Sequence, residues 1–376
     1  MVSSRLASLA FLISVTVVNA VSNGHCTETI LPLSIIANNT EIKLSAPRSQ
    51  MEVSDLVTRI SSLTSNLTSE IVGGPRVNNA TYRIWTQLCV PTKPDASKTV
   101  ELAVHGAGFD HSYWNFGGDG SKYNYVEAVL KAGHSILIYD RLGTGQSDKP
   151  DGITEVQSPT EIEIAAQLVK YLRGSPKGNQ FKRVIGIGHS FGSATLLGLV
   201  SKYGDVLDAT ILTGFAVAGG INYISYPAIG WTIASVQNPK RFGALPSSYV
   251  VSEGVSNSQH FFFHYGGYET AILNAAEAMK STATLGELFV QLGAPALSYT
   301  KPVFVVTGDK DFAVCTGNCY QKFNGVNIVE ATKQVFPAVA ADKFSTWIPA
   351  TTGHATNLHL SAPETYGKIQ EWIGKL

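Results

Sequence analysis

The chain has 376 residues, enough for one large α/β domain or two ordinary ones. Apolar residues make up 44% and charged residues 15%, the balance of a foldable globular chain, and the formal net charge is zero. A neutral chain without low-complexity tracts is not built to hold a polyanion, so neither nucleic acid nor an anionic membrane surface is an expected partner.

Residues 1–20 read as a signal peptide. Arg5 supplies a positive n-region, Leu6 to Val18 an apolar h-region, and Val18-Asn19-Ala20 the small-residue pattern before cleavage. The run is short for a bilayer span and no later stretch approaches twenty apolar residues, so no stable membrane anchor is expected. The implied location is secreted, extracellular. In an oxidising compartment the four cysteines default to disulfides, with three possible connectivities. Cys315 and Cys319 could close a small loop, and Cys26 and Cys89 would then tie the N-terminal part to the first strands. These spacings lack the paired C-x-x-C or nearby histidines of a zinc site, so no metal is expected. Three glycosylation sequons fit export, at Asn38, Asn66 and Asn79.

Residues 21–75 read as an N-terminal extension. Val53, Leu56, Val57, Ile60, Leu63 and Leu67 recur at helical spacing, as in an amphipathic helix lying on the main domain, although they would also serve to patch a sheet edge. From residue 76 to 376 strands and helices alternate. Strands are expected at Tyr82–Val90, Thr99–Val104, Ser135–Tyr139, Val184–Ile187, Ala209–Leu212, Pro302–Thr307 and Lys343–Ile348. Helices are expected at Lys122–Lys131, Thr160–Leu172, Ala194–Tyr203 and after Pro363. That alternation implies an α/β fold, with a doubly wound, mostly parallel sheet covered on both faces. Residues 215–298 break it. They show helical pieces such as Thr270–Met279 and no clear strand, which suggests a cap subdomain rather than a loop.

The stretch Gly188-His189-Ser190-Phe191-Gly192 gives a serine the surroundings of a nucleophile. It matches G-x-S-x-G between an apolar strand and a helix, where a strained turn exposes the hydroxyl and the flanking glycines let the backbone pass closely. A serine hydroxyl needs a positioned base that is itself oriented by an acid, and in this setting the chain order is serine, acid, histidine. His354 follows the last predicted strand in Gly353-His354-Ala355 and is preferred to His359, which reads as packing near the final helix. Asp311 ends the run Gly308-Asp309-Lys310-Asp311 after an apolar strand and is preferred to Asp309, which reads as capping its own turn. The oxyanion hole calls for two N–H groups, assigned to Phe191 and to Ala107 in His105-Gly106-Ala107-Gly108. Asp140 to Ser147 is glycine-rich but matches neither a dinucleotide nor a phosphate loop, so no cofactor is expected and Asp140 and Arg141 read as bracing neighbouring loops.

With His105–Gly108, Asp140–Ser147, Gly188–Gly192, Gly308–Asp311 and Gly353-His354 in this order over residues 99–376, the chain resembles the α/β-hydrolase superfamily, in its lid-bearing, esterase-like serine-hydrolase branch. The signal peptide, sequons and extension resemble those of secreted fungal members. The resemblance implies a cap between the sixth and seventh strands, and Ser190 in place of aspartate sets the chain apart from haloalkane dehalogenases and epoxide hydrolases. It implies hydrolysis through an acyl-enzyme on Ser190, His354 and Asp311. The expected substrate is a small, neutral, moderately hydrophobic ester or lactone. The cap aromatics Tyr223, Tyr226, Trp231, Phe261, Phe262, Phe263, Tyr265 and Tyr268 could line its pocket, with Trp231, Phe262 and Tyr265 chosen, or could be the cap's own core. Two other classes stay open: a cofactor-free haloperoxidase- or lyase-like activity on the same triad, and a non-catalytic secreted binding protein. Peptidase action would need an acidic cap residue, for which Glu253 and Glu269 are the candidates. The sequence sets no oligomeric state.

Overall fold

A short strand and a long antiparallel ribbon begin the described fold. The computed structural model describes residues 17–62, 64–96, 98–174, 181–217, 224–289 and 294–376. Strand β1 (Val17–Val21) pairs with β2 (Gly24–Ile42). Helices α1 (Gln50–Ser61) and α2 (Leu67–Ile71) then lead into β3 (Val72–Pro91), which runs antiparallel to β2 from Gly24↔Pro91 to Thr40↔Pro75. Along β2, Ile35, Ala37 and Asn39 are buried while Ile36 and Asn38 are exposed, the period-two pattern of a strand with one covered face. The expected division at residue 75 thus falls inside β3, and residues 21–75 contribute strands to the same central sheet as the rest of the domain. Of the expected amphipathic helix, Val53 and Leu56 are buried on α1 and Leu67 on α2, while Leu63 lies outside the described residues. Gln50 ties α1 to residues 231–233, donating to Trp231 O at 3.0 Å and accepting from Ile233 N at 2.9 Å.

Residues 1–16 of the expected signal peptide lie outside the described residues, and its expected end at Ala20 falls within β1, whose Val18, Asn19 and Ala20 are exposed. Asn38, Asn66 and Asn79 are all exposed; Asn38 and Asn79 share the outer face of the β2–β3 ribbon.

The next elements are β4 (Thr99–Val104), α3 (Tyr125–Lys131), β5 (Ser135–Tyr139), α4 (Ser158–Gly174), β6 (Arg183–His189), α5 (Phe191–Tyr203) and β7 (Ala209–Thr213). Their bounds lie close to those expected because each strand is a short, continuous apolar run, as buried parallel strands require.

After β7 the chain leaves the sheet for a cap. It contains α6 (Ser225–Ile229), β8 (Trp231–Ile233), α7 (Ala234–Gln237), α8 (Pro239–Phe242), β9 (Tyr249–Ser252), α9 (Val255–Phe262), α10 (Thr270–Met279), β10 (Ala283–Thr284) and α11 (Leu285–Leu288). The insert was expected to be helical without strands; instead β10, β9 and β8 form a three-stranded antiparallel sheet. These strands have only two, four and three residues and are buried throughout, so alternation has no room to show. The end of the cap is fastened to the loop after β5. Thr282 Oγ1 donates to Gly143 O at 2.7 Å, Gly286 N to Gly152 O at 2.8 Å and Tyr249 Oη to Pro150 O at 2.6 Å.

The chain returns as β11 (Val303–Val306), continues through α12 (Phe312–Cys315) and the small hairpin of β12 (Lys322–Phe323) and β13 (Val326–Asn327), and closes with β14 (Phe344–Trp347) and α13 (Ala362–Ile373). The central sheet has the order β1-β2-β3-β5-β4-β6-β7-β11-β14, antiparallel as far as β5 and parallel from β5 to β14. Successive side chains feed two cores. Val100, Leu102 and Val104 of β4 join α4 and α5 on one face, while Ala103, with Ile136 and Ile138 of β5, joins α3 and α13 on the other. This is the doubly wound α/β architecture. Counted without the edge strand β1, the cap leaves between the sixth and seventh strands.

Candidate active site

The C-terminal ends of the parallel strands are where loops converge, the usual place for a site in such a sheet. Ser190 stands between β6 and α5 with φ 53°, a conformation unfavourable for a residue with a Cβ and held here by its surroundings. A Cβ on Gly192 would stand 2.0 Å from Val104 O, and one on Gly188 2.5 Å from Ser193 N, so both glycines are required by close backbone approach. Hydrogen bonds to the end of β7 fasten the turn: Ser190 N and Ser193 Oγ both donate to Thr213 O at 2.9 Å, and Thr213 Oγ1 donates to Gly188 O at 2.9 Å.

His354 and Asp311 meet this serine from the loops after β14 and β11. His354 Nε2 lies 2.7 Å from Ser190 Oγ, and His354 Nδ1 lies 2.7 Å from Asp311 Oδ2. The carboxylate accepts from Nδ1–H, which leaves Nε2 as the acceptor for the serine hydroxyl. Asp311 and His354 are buried while Ser190 is partly exposed, and the other Asp311 oxygen accepts from Val314 N at 3.0 Å. Asp309 is placed otherwise than its expected turn-capping role: Oδ1 accepts from Thr352 N at 3.0 Å and so braces the loop that carries His354. His359 also braces that loop. Its Nδ1 donates to Ala355 O at 2.8 Å, and its Nε2 accepts from Gly353 N at 3.0 Å and His264 N at 3.1 Å. Burial, above all, drives its pKa down to about 4, which keeps it neutral.

Ala107 and Phe191 border one cavity together with Ser190 and His354. Phe191 is the first residue of α5, where N–H groups have no intrahelical acceptor and the helix dipole favours negative charge. Among the described residues the Ala107 N–H has no hydrogen-bond acceptor either. The remaining wall comes from strand ends and cap: Gly214, Phe215, Ala216, Ala313 and Val314 on one side, and Tyr226, Trp231, Phe261, Glu287 and Leu288 on the other. Of the three aromatics chosen from sequence, only Trp231 lies in this wall. Phe262 is buried behind it, 4.7 Å from Phe109 and 6.2 Å from His354 between ring centres. Tyr265 is 82% exposed, beyond the end of α9. A helical step of 100° per residue separates Phe261, which faces the cavity, from Phe262, which faces the core, and sequence alone does not fix that rotation. Tyr223 lies outside the described residues. Glu253 is exposed and Glu269 pairs with Lys122 at 2.6 Å, so neither acidic residue lines the cavity.

Beneath the wall sits a buried charge cluster that sequence reasoning had only as loop bracing. Arg141 is fully buried after β5. Its Nη2 pairs with Glu287, its Nε lies 4.0 Å from Glu161 Oε1, and its guanidinium covers the Phe191 ring at 4.3 Å. One cation between two buried carboxylates leaves an excess of negative charge. Burial lifts the Glu161 carboxyl to about 8, so it holds a proton near neutrality. Asp110, His111 and Asp140 also approach one another. Their groups are committed to the local turn: Asp140 accepts from His111 Nδ1 at 2.7 Å and Gln146 N at 2.7 Å, and Asp110 accepts from Ser112 N at 3.0 Å.

Both disulfides have the pairing anticipated, Cys26–Cys89 across β2 and β3 and Cys315–Cys319 just after Asp311.

This sheet with a serine at its elbow defines a class, and sequence comparison agrees: residues 102–367 match the model of the alpha/beta hydrolase family, and the chain belongs to that family. A proline iminopeptidase of Saccharolobus solfataricus is 26% identical over 113 residues, which cover 29% of this chain and 33% of that protein. The chain thus matches about a third of the length of that curated relative. Among solved structures, a carboxylesterase of Nitrososphaera gargenis superposes with a TM-score of 0.53 at 12% identity, covering 78% of this chain and 95% of the other. A thermophilic esterase of Thermogutta terrifontis gives 0.52 at 14% identity, covering 78% and 94%. At these identities the likeness speaks to the fold.

Proposed function

We propose that the protein is a secreted serine hydrolase that cleaves a carboxylic ester or lactone of a neutral, moderately hydrophobic substrate. The observation that carries the reading is the chain of two 2.7 Å contacts, Ser190 Oγ to His354 Nε2 and His354 Nδ1 to Asp311 Oδ2, at the wall of a mostly apolar cavity. In this reading His354 takes the serine proton as Oγ attacks the ester carbonyl. Asp311 holds the imidazole tautomer and stabilises the imidazolium. The Ala107 and Phe191 N–H groups receive the oxyanion, and His354 returns its proton to the leaving alcohol. Water, activated by the same histidine, then releases the acid. Among the described residues Glu287 is the one acidic residue of the cavity wall, and its carboxylate already accepts from Arg141 and from Thr284 N, which favours a neutral substrate over one with a free amine. Export is supported by the N-terminal segment, the exposed sequons and the two disulfides.

The test is a fluorophosphonate probe followed by an ester panel of graded acyl length. The expected result is stoichiometric labelling at Ser190, with Ser190→Ala folded but slower by roughly 10⁴-fold or more. Unchanged turnover in that variant would remove the assignment.

A further inference from the structure

Arg141 touches one half of the oxyanion hole and is linked to the other through His105. Its backbone N donates to His105 Nε2 at 3.0 Å, and His105 Nδ1 in turn bonds Gly106 O at 2.9 Å, one residue before Ala107. Its side chain lies over the ring of Phe191, the residue that offers the other N–H. The guanidinium is held there from behind. Glu287 grips it from the first turn of α11, through a capping box with Thr284, and Glu161 faces it from α4. Glu287 is also part of the cavity wall. A fully buried arginine is costly to desolvate, and the pair to Glu287 offsets that cost where the guanidinium meets the Phe191 ring.

We propose that Arg141 is a positioning residue for the oxyanion hole: its planar guanidinium, held by the buried pair to Glu287 of the cap, sets the orientation of Phe191 at the start of α5 and so the aim of its N–H. The inference rests on the serine-hydrolase reading above. It gives the cap a part in the chemistry, since the α11 clamp that lines the cavity also fixes the donor. Lysine would keep the charge but lacks the planar face that stacks on an aromatic ring while one edge pairs with a carboxylate.

The experiment compares wild type with Arg141→Lys, Arg141→Met and Phe191→Leu, the last of which keeps the N–H and removes the ring. Each is assayed for kcat and KM on a soluble short-chain ester and for affinity to a trifluoromethyl ketone, which forms a tetrahedral oxyanion on the serine. The expected result is a kcat lower by roughly 10- to 100-fold, somewhat less than the loss of a whole donor, with inhibitor affinity falling in step and KM nearly unchanged. End-point fluorophosphonate labelling reports whether each variant is folded with an intact nucleophile. If Arg141→Met does not fold, Arg141→Lys and Phe191→Leu decide the matter. Wild-type kcat and inhibitor affinity in either one overturns the proposal, even where its melting temperature drops. A wild-type enzyme with no turnover on any ester would sink the hydrolase reading instead, so the two failures are distinct.

Discussion

Gly192 leaves its position no latitude. A Cβ there would meet Val104 O at 2.0 Å and His105 O at 2.8 Å, backbone atoms of the sheet and of the loop that carries Ala107. Neither can retreat without moving β4 or the loop that follows it. Gly192→Ala is therefore expected to cost about 3 kcal/mol, the upper part of the range for overpacking, and to abolish turnover. Urea denaturation and an ester assay check this, and wild-type values in both would show that the elbow yields more than its contacts allow. The glycine requirement was legible as G-x-S-x-G because it is local. Other assignments at this scale depended on which loops meet. Asp309 and Asp311 are two residues apart on one turn, yet one faces Thr352 N and the other His354. The strand-then-loop pattern pointed to Asp311, but nothing in it announced that Asp309 would hold the histidine's loop. Phe261 and Phe262 differ likewise by a single helical step.

At the scale of elements, the short loop after β11 does two jobs. It carries Asp311, and Ala313 and Val314 of α12 line the cavity. The Cys315–Cys319 disulfide closes it, with Cys319 N bonded to Asp309 O at 3.1 Å and Gly317 N to Asp311 O at 2.9 Å. In the chain-entropy account so short a loop removes little unfolded-state freedom, about 2 kcal/mol, against about 4 kcal/mol for the longer Cys26–Cys89 loop. Function should show the opposite order. The pair Cys315→Ala and Cys319→Ala is expected to lower kcat several-fold with a small stability loss. The pair Cys26→Ala and Cys89→Ala should destabilise more and leave the kcat of the folded enzyme unchanged. Denaturant midpoints and active-site-titrated kcat check the contrast, and equal kcat losses in the two pairs would refute it. The central strands were readable because each is an apolar run between turn residues. The cap strands were not, being too short for periodicity and made by tertiary pairing. The β2–β3 ribbon was half legible: Tyr82–Val90 was expected, whereas β2 alternates against a helix far away in sequence, as the bond from Thr160 Oγ1 to Asn39 Oδ1 shows with its separation of 121.

For the molecule as a whole, buried titratable groups set opposing limits on pH. His105, His189 and His359 are held neutral chiefly by burial, with pKa values of about 3 for His105 and about 4 for His359 and a shift well downward for His189. An unfolded histidine titrates near 6.5, so below that pH the unfolded chain takes up protons that the folded state refuses, and stability falls. Glu161 acts the other way. Burial raises it from 4.5 to about 8, so the folded state holds a proton that the unfolded chain releases, and that contribution is lost as pH rises toward 8. His111 and His134, raised by carboxylate partners despite burial, add to the loss above 6.5. Between 4.5 and 6.5 three histidines outweigh Glu161 and Glu287, whose carboxyl is also raised by burial. Stability should therefore peak at about pH 6.5 and decline on both sides, by roughly 3 kcal/mol on the acid side for His359 alone once the pH is below its folded pKa. Urea midpoints from pH 4 to 9 measure the profile. His359→Gln should flatten the acid limb, and Glu161→Gln, which mimics the protonated acid, the alkaline one. A midpoint that climbs steadily through pH 8.5 in the wild type would mean that Glu161 is ionised in the fold, and that the cluster beside Phe191 carries a net negative charge rather than a neutralised Arg141.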